Sequence, residues 1–165
     1  MASNIRLPLP FTTVSPAAPS GVVPTIFPVT NAGPNAYYGL DDYSTVLIDA
    51  VILGATGGTL DIYFQTSLQA RQGVAGGRWY DIAHLPQIAA GAAAARYSMI
   101  FTRAKGIAPT TPSTISDVTV NGTSGLAANT ILSQVLGDSI RMVLVAGAGT
   151  TAGASLVIDG SAYTI

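Results

Sequence analysis

The feature that most constrains the fold is an alternation of apolar and polar side chains with a period of two residues. Residues 45–53 and 59–66 show it first, and the glycine-rich stretch 54–58 separates them. Side chains of a β-strand point alternately to its two faces, so this period is typical of strands with one buried face. We expect these two segments to form strands that pair as a β-hairpin.

The same pattern predicts further short strands towards the C-terminal part of the chain. They cover residues 79–83, 97–103, 115–120, 140–145, 155–158 and 162–165. The alanine-rich run 88–95 is the one helical candidate, but Pro86 precedes it and Gly91 interrupts it, so we expect a loop or at most two turns. Short strands between glycine-rich turns indicate an all-β fold, an antiparallel β-sandwich or jelly roll.

Residues 1–40 have a different character from the rest, because seven of the ten prolines lie within the first 34 residues. Proline fixes φ and lacks an amide donor, so this segment can be neither a helix nor a central strand. It is nevertheless too apolar for an ordinary disordered tail. We expect an extended arm laid along a partner, followed by a sandwich domain at 41–165; the alternative is that the arm wraps its own domain. The candidate partner-contact residues are Leu7, Leu9, Phe11, Val23, Ile26 and Phe27.

Charge is scarce, since Asp, Lys and Arg together make up 9% of the chain and Glu is absent. A soluble monomer usually has about a quarter of its residues charged, which keeps its surface hydrated. No stretch of about 20 consecutive apolar residues is present to span a bilayer. The seven basic residues are scattered, so no stripe is available to neutralise phosphates. We therefore expect an outer surface covered by other protein, with neither a membrane nor a nucleic acid as partner.

Catalytic and ligand-binding patterns are weak throughout the chain. His84 follows Asp81 by three residues, and Ser67 or Ser98 would supply the third residue type of a hydrolytic triad. No G-x-S-x-G turn, however, marks either serine as a nucleophile. A lone histidine in a chain without Cys is a poor basis for a metal site. We expect a structural His84, no enzymatic activity, no metal and no cofactor.

Two other patterns each allow a structural and a functional interpretation. The acidic pair Asp41-Asp42 lacks the further oxygen ligands that a hard cation needs, so we expect a solvated turn. Trp79 with Tyr80 and Tyr63 could form an aromatic platform for sugar, but a tryptophan in a β-sandwich is more often buried. We expect Trp79 to lie inside the fold.

Three short motifs carry a resemblance to a known class of proteins. They are Gly58-Thr-Leu-Asp-Ile-Tyr-Phe-Gln-Thr-Ser67, Arg78-Trp-Tyr-Asp-Ile-Ala-His-Leu85 and Leu136-Gly-Asp-Ser-Ile-Arg-Met-Val-Leu144. In this order, and with an alanine-rich stretch between the second and third, they resemble small structural proteins encoded among the head genes of tailed bacteriophages. The resemblance covers about residues 45–145 and does not include the arm.

The resemblance implies a component of the virion, a capsid decoration (cement) protein. Such a protein binds the major capsid protein on the exterior of the assembled head and reinforces it, often as a trimer of jelly rolls or similar β-sandwiches. Two other classes stay open. A tail-fibre or host-recognition module that binds carbohydrate would need an exposed Trp79, and a jelly-roll enzyme would need a pocket in which His84 meets two or more carboxylates.

Overall fold

The structure, a computed structural model, describes residues 6–12, 25–27, 37–40, 42–52, 58–67, 79–89, 91–103, 117–118, 126–132, 135–146 and 156–164. These residues contain strands and no helix. The strands are β1 (Arg6–Thr12), β2 (Thr25–Phe27), β3 (Tyr38–Gly39), β4 (Thr45–Ile52), β5 (Leu60–Ser67), β6 (Trp79–His84), β7 (Ala95–Thr102), β8 (Asp117–Val118), β9 (Thr130–Ile131), β10 (Ser139–Ala146) and β11 (Leu156–Tyr163).

The strands form two antiparallel sheets. The first sheet has the order β1-β11-β4-β7, and the second follows the path β2-β10-β5-β6-β8. Strands β3 and β9 join the second sheet by pairing with β10 and β6. The all-β class is confirmed, and the two packed sheets are consistent with a β-sandwich.

The core lies between the two sheets, and the alternation in the sequence explains how it is filled. On β4, Val46 and Ile48 are fully buried, whereas Leu47 between them is 39% exposed. The rings of Phe64 on β5 and Phe101 on β7 have their centroids 6.3 Å apart, so side chains of the two sheets are in direct contact. Burying such a side chain contributes about 1.5–3 kcal/mol, which makes this layer the main source of stability.

The predicted hairpin between β4 and β5 is wrong. Strand β4 lies between β7 and β11 in the first sheet, while β5 lies between β10 and β6 in the second. Both strands have a strongly apolar inward face, and the fold buries these faces against each other across the sandwich. Local alternation marks a strand and its buried face, but it does not say which strand will be its neighbour.

The described parts of residues 1–40 belong to the two sheets. Strand β1 pairs with β11, while β2 and β3 pair with β10. Strand β1 is an edge strand, the one place in a sheet where its prolines, Pro8 and Pro10, are tolerated. Backbone pairing therefore crosses the predicted boundary at residue 40.

The alanine-rich run contains no helix in its described residues, as expected. Ile88 forms an isolated bridge with Leu60, and each donates its amide to the carbonyl of the other at 2.9 Å. Gly91 has φ +72°, a conformation that favours glycine, and it lies in a turn. Within the part of the chain that the structure describes, no helix has the length and apolar character to cross a bilayer.

Candidate functional site

The outward face of the second sheet holds a row of buried polar side chains. Register places Arg141 of β10 beside Gln65 of β5, and Gln65 beside Asp81 of β6. Their neighbours Phe64 and Met142 belong to the core, so alternation turns the three polar residues to the opposite face. That face is not solvated, because Arg141 and Gln65 have 0% and Asp81 2% of their surface exposed.

The row is a chain of hydrogen bonds from a cation to an anion. Arg141 Nε donates to Gln65 Oε1 at 2.7 Å, and Gln65 Nε2 donates to Asp81 Oδ1 at 2.7 Å. The guanidinium carbon of Arg141 lies 4.0 Å from the ring centroid of Trp79, a cation–π contact. The ring of Tyr37 is 5.8 Å from that of Trp79. We call Gln65, Trp79, Asp81 and Arg141 the buried arginine cluster.

Electrostatics in this cluster are dominated by burial. Desolvation lowers the pKa of Arg141 to about 9, and the negative charge of Asp81 opposes that shift. Arg141 therefore stays charged at neutral pH despite its burial. The cluster binds three strands together through a cation that water cannot reach, which makes it a structural element rather than an open reactive site.

A second polar group surrounds His84 at the end of β6. Its Nε2 lies 2.9 Å from Asp61 Oδ1, and its Nδ1 lies 2.6 Å from the carbonyl oxygen of Leu126. Gln87 Nε2 donates to both carboxylate oxygens of Asp61. The ring of Tyr63 stacks on the imidazole with a centroid distance of 4.0 Å. The group ties β5, β6 and the segment before β9 to one another.

These contacts leave the hydrolytic triad unassembled. Both ring nitrogens of His84 are engaged, one by a carboxylate and the other by a backbone carbonyl, so neither faces a serine hydroxyl as a general base must. Ser98 Oγ donates instead to Asp49 Oδ1 at 3.1 Å, on the first sheet. Ser67 is fully buried on the second sheet. The histidine therefore has a structural environment.

Among the described residues, neither Asp42 of the acidic pair nor the aromatic platform forms an open site. Asp42 is exposed in a turn, and Asp41 lies outside the described residues. No group of three or more His, Asp or Glu side chains in the described ranges could hold a metal ion. Trp79 is 1% exposed beneath Arg141, and Tyr63 is 8% exposed beside His84. The expected burial of Trp79 is confirmed, and its ring is closed to a sugar.

Two of the three exposed large hydrophobic side chains among the described residues lie on the outer face of the first sheet, and the third, Ile131, lies on β9 of the second. Leu47 and Ile100 are direct neighbours across β4 and β7, with 39% and 56% of their surface exposed. Beside them Asp49 accepts two bonds from Arg96, at 2.8 and 2.6 Å, and these bonds lower the pKa of the Asp49 carboxyl. We call Leu47, Asp49, Arg96 and Ile100 the outer patch. Its charges cancel, so it offers aliphatic contact area without net charge.

The candidate partner-contact residues have varied positions. Leu9 and Phe11 are buried in this chain's own core, and the partly buried Leu7 packs against it, because β1 covers β11 in the first sheet. Contact of these residues with a partner stays a prediction. Ile26 and Phe27 pair through their backbones with β10, and Val23 lies outside the described residues.

Sequence reasoning missed the buried arginine cluster. An available signal was that Arg141 lies between the core residues Ile140 and Met142 in a strand whose later residues are all apolar. An arginine in such a strand is either exposed or paired within the protein.

Comparisons of this chain with protein-family models, with curated proteins and with solved structures found no match.

Proposed function

We propose that the chain is a structural protein of a bacteriophage virion, a decoration (cement) protein that binds the exterior of the assembled head. The observation that carries the proposal is the distribution of polar and apolar side chains. Asp81 and Arg141 are buried, and His84, which lines a cleft, has both ring nitrogens engaged, whereas the exposed aliphatic residues Leu47 and Ile100 lie on a sheet face. Among the described residues, this arrangement supports protein contact rather than turnover of a substrate.

The proposed mechanism is stabilisation by mass action. A protein that binds the assembled shell but not its separated subunits lowers the free energy of the shell, and disruption then costs more. The partner is the major capsid protein, and the location is the capsid surface. A typical stable interface buries about 800 Å² on each partner. The outer patch would form the centre of such an interface, with the ion pair of Asp49 and Arg96 at its side.

A jelly-roll arrangement of the strands and the absence of catalysis are part of the same proposal. Repeated crossing of the chain between the two sheets supports the jelly roll: β4 and β5, β6 and β7, and β10 and β11 lie in different sheets, although β5 and β6 are neighbours in the second. The engagement of both ring nitrogens of His84 supports the proposed absence of catalysis. The alternative of a carbohydrate-binding module of a tail fibre loses its main support, because Trp79 is buried.

Binding to heads tests the proposal. We expect the wild-type protein to sediment with heads of the phage that encodes it, prepared without it, and to raise their melting temperature. Leu47→Asp places a charge at the centre of the outer patch and should remove the binding, because an unpaired charge in an interface must be desolvated. Ile131→Asp is the matched control, since Ile131 is 47% exposed but lies on β9 of the second sheet.

The two variants separate the possible outcomes. Both should melt at nearly the wild-type temperature, because both replaced side chains are exposed. If the wild-type protein does not sediment with heads, the proposal is wrong. If Leu47→Asp binds as well as wild type, the outer patch is not the interface.

We propose in addition that three copies meet on the head, because closed cyclic symmetry covers uncharged surface without open-ended growth. Images of decorated heads should then show density around local three-fold axes of the shell, with a mass of three chains of 16.7 kDa at each position. Density of one chain at each capsid subunit, unrelated to a three-fold axis, would contradict the trimer.

A further inference from the structure

His84 lies between two groups that accept hydrogen bonds and cannot donate them. Its Nε2 lies 2.9 Å from Asp61 Oδ1, and its Nδ1 lies 2.6 Å from the carbonyl oxygen of Leu126. A backbone carbonyl has no hydrogen to donate, and an ionised carboxylate has none either. Both oxygens of Asp61 already accept from Gln87, which is the pattern of an ionised carboxylate. Each ring nitrogen of His84 therefore needs a hydrogen of its own.

A neutral imidazole cannot meet this requirement, because it carries a hydrogen on one nitrogen only. Its other nitrogen would direct a lone pair at the lone pairs of an oxygen, which is a repulsive contact. The imidazolium has both hydrogens, and a charged donor suits the short separations of 2.6 and 2.9 Å. The ring of Tyr63, stacked with a centroid distance of 4.0 Å, presents its π face to the same cation. The arrangement fits His84 in its protonated form.

The charged and titratable groups on the strands around the imidazole are Asp61 and Tyr63 of β5, Asp81 of β6, and Arg96 and Tyr97 of β7. Residues 126–131 contain no such group. Asp81 is bonded to Gln65, and Arg96, across the cleft that the imidazole lines, is bonded to Asp49. Asp61 is thus the charged group in contact with the ring, and it neutralises the imidazolium where water has little access.

The carbonyl of Leu126 begins a short segment that is only lightly attached to the second sheet. Ala127, Ala128 and Asn129 are exposed, so they bury little apolar surface. Asn129 has φ +63°, a left-handed conformation that most side chains avoid and that contacts nearby must hold in place. Pairing with β6 begins at Thr130. Within the described part of the chain, the position of residues 126–129 therefore depends on the bond that His84 donates at their start.

We propose that His84 is an acid-dependent clasp for residues 126–129. When protonated, its ring donates to Asp61 and to Leu126 and holds the segment beside β5 and β6. When neutral, it keeps its hydrogen on Nε2, because a bond to a carboxylate is stronger than a bond to a carbonyl. Nδ1 then repels the carbonyl of Leu126, and the segment moves away from the ring.

This inference goes beyond the proposed function and does not depend on it. Histidine is the side chain that normally changes its charge between about pH 5 and pH 8, so modest acidification is a suitable signal for such a clasp. Opening it changes the surface around residues 126–129 and leaves the core between the sheets untouched, since none of these residues belongs to that core.

Nuclear magnetic resonance tests the clasp, because the chain contains one His and its ring signals are unambiguous. Spectra of the ¹⁵N-labelled protein are recorded from about pH 5 to about pH 8. The ¹⁵N shifts of the ring report which nitrogen carries a hydrogen. The amide of Ala127 shares a peptide unit with the carbonyl of Leu126, so its resonance reports the bond to that carbonyl. The amide of Leu132, which donates to the carbonyl of Ile82 at 2.7 Å, is the internal control.

We expect hydrogens on both ring nitrogens at about pH 5 and on Nε2 alone at about pH 8. The Ala127 resonance should move with the same midpoint as the ring signals, while that of Leu132 stays in place. His84→Gln is the control variant, because glutamine does not titrate. The chain contains no Cys, so no other side chain normally titrates in this range, and the Ala127 resonance of the variant should not move.

His84→Phe, which keeps a ring against Tyr63, serves as the second variant if His84→Gln melts early. A ring that carries its single hydrogen on Nδ1 at about pH 8 would overturn the proposal, as would a ring whose protonation does not change between about pH 5 and pH 8. An Ala127 resonance that ignores the ring titration, or that still moves in a folded His84 variant, would also overturn it. None of these results bears on head binding, which is tested with Leu47→Asp.

Discussion

Arg141→Ala is expected to lower the free energy of unfolding by about 3–5 kcal/mol, because it leaves a buried carboxylate without its counter-charge. Asp81 is 2% exposed, and the fully buried Gln65 loses the donor to its Oε1. The face of Trp79 loses the cation 4.0 Å away as well. Urea denaturation followed by circular dichroism measures the loss without relying on the fluorescence of the altered tryptophan site.

Arg96→Ala is the matched control for this prediction. Arg96 also pairs with an aspartate across two strands, but its side chain is 69% exposed. Exposed ion pairs contribute little, so the midpoint of denaturation should hardly change. In the double variant Arg141→Ala with Asp81→Ala, the loss should be smaller than the sum of the two single losses, since both remove the same interaction. Equal, small effects of Arg141→Ala and Arg96→Ala would show that the buried arginine cluster does not stabilise the fold.

The sequence predicted most of the long strands, but not how they pair. Strands β4, β5, β6, β7 and β10 coincide closely with segments of alternating character. Period-two alternation reports burial of one face, a property that each strand shows locally. Pairing is decided by how the apolar faces of distant segments fit together, so β4 joined β7 and β11 instead of its sequence neighbour β5.

The buried arginine cluster escaped prediction for a related physical reason. Alternation of polar with apolar residues is normally explained by solvent on the polar side, and Gln65 and Arg141 fit that pattern in the sequence. In the fold, all residues from Ile62 to Ser67 on β5 are buried, so the second sheet is covered on both faces. A polar residue on a covered face must find a partner within the protein, and the sequence does not identify that partner.

The prolines of the first residues predict the local backbone structure but do not say what the segment contacts. They do exclude a helix and a central strand, and β1 is an edge strand. The step from an extended apolar segment to a partner-binding arm stays a prediction, because an edge strand of the chain's own sandwich satisfies the same pattern and buries Leu9 and Phe11. Only the register with β11 distinguishes an edge strand of the chain's own sheet from a segment that extends along a partner.

Deletion of residues 1–12 is expected to destabilise the protein by about 5 kcal/mol or more, which is the whole stability of a domain at the low end of the usual range of about 5–15 kcal/mol. Leu9 is fully buried, and the ring of Phe11 packs edge-on against Phe64 at 5.6 Å and Tyr38 at 5.3 Å. A Cβ on Gly160 of β11 would lie 3.2 Å from atoms of both Leu9 and Phe11, which shows how closely β1 is seated. Thermal melting by circular dichroism measures the effect.

Deletion of residues 1–5 alone is the control, because it keeps the whole of β1, and it should leave the melting temperature nearly unchanged. Phe11→Ala in the full chain should lower the free energy of unfolding by about 3–5 kcal/mol, as truncation of a buried aromatic does. Loss of β1 also uncovers β11, a long strand without prolines, so the shortened protein should aggregate as well as unfold. A protein lacking residues 1–12 that melts at the wild-type temperature would contradict the intramolecular strand. Leu7, Leu9 and Phe11 would then be available for contact with a partner after all.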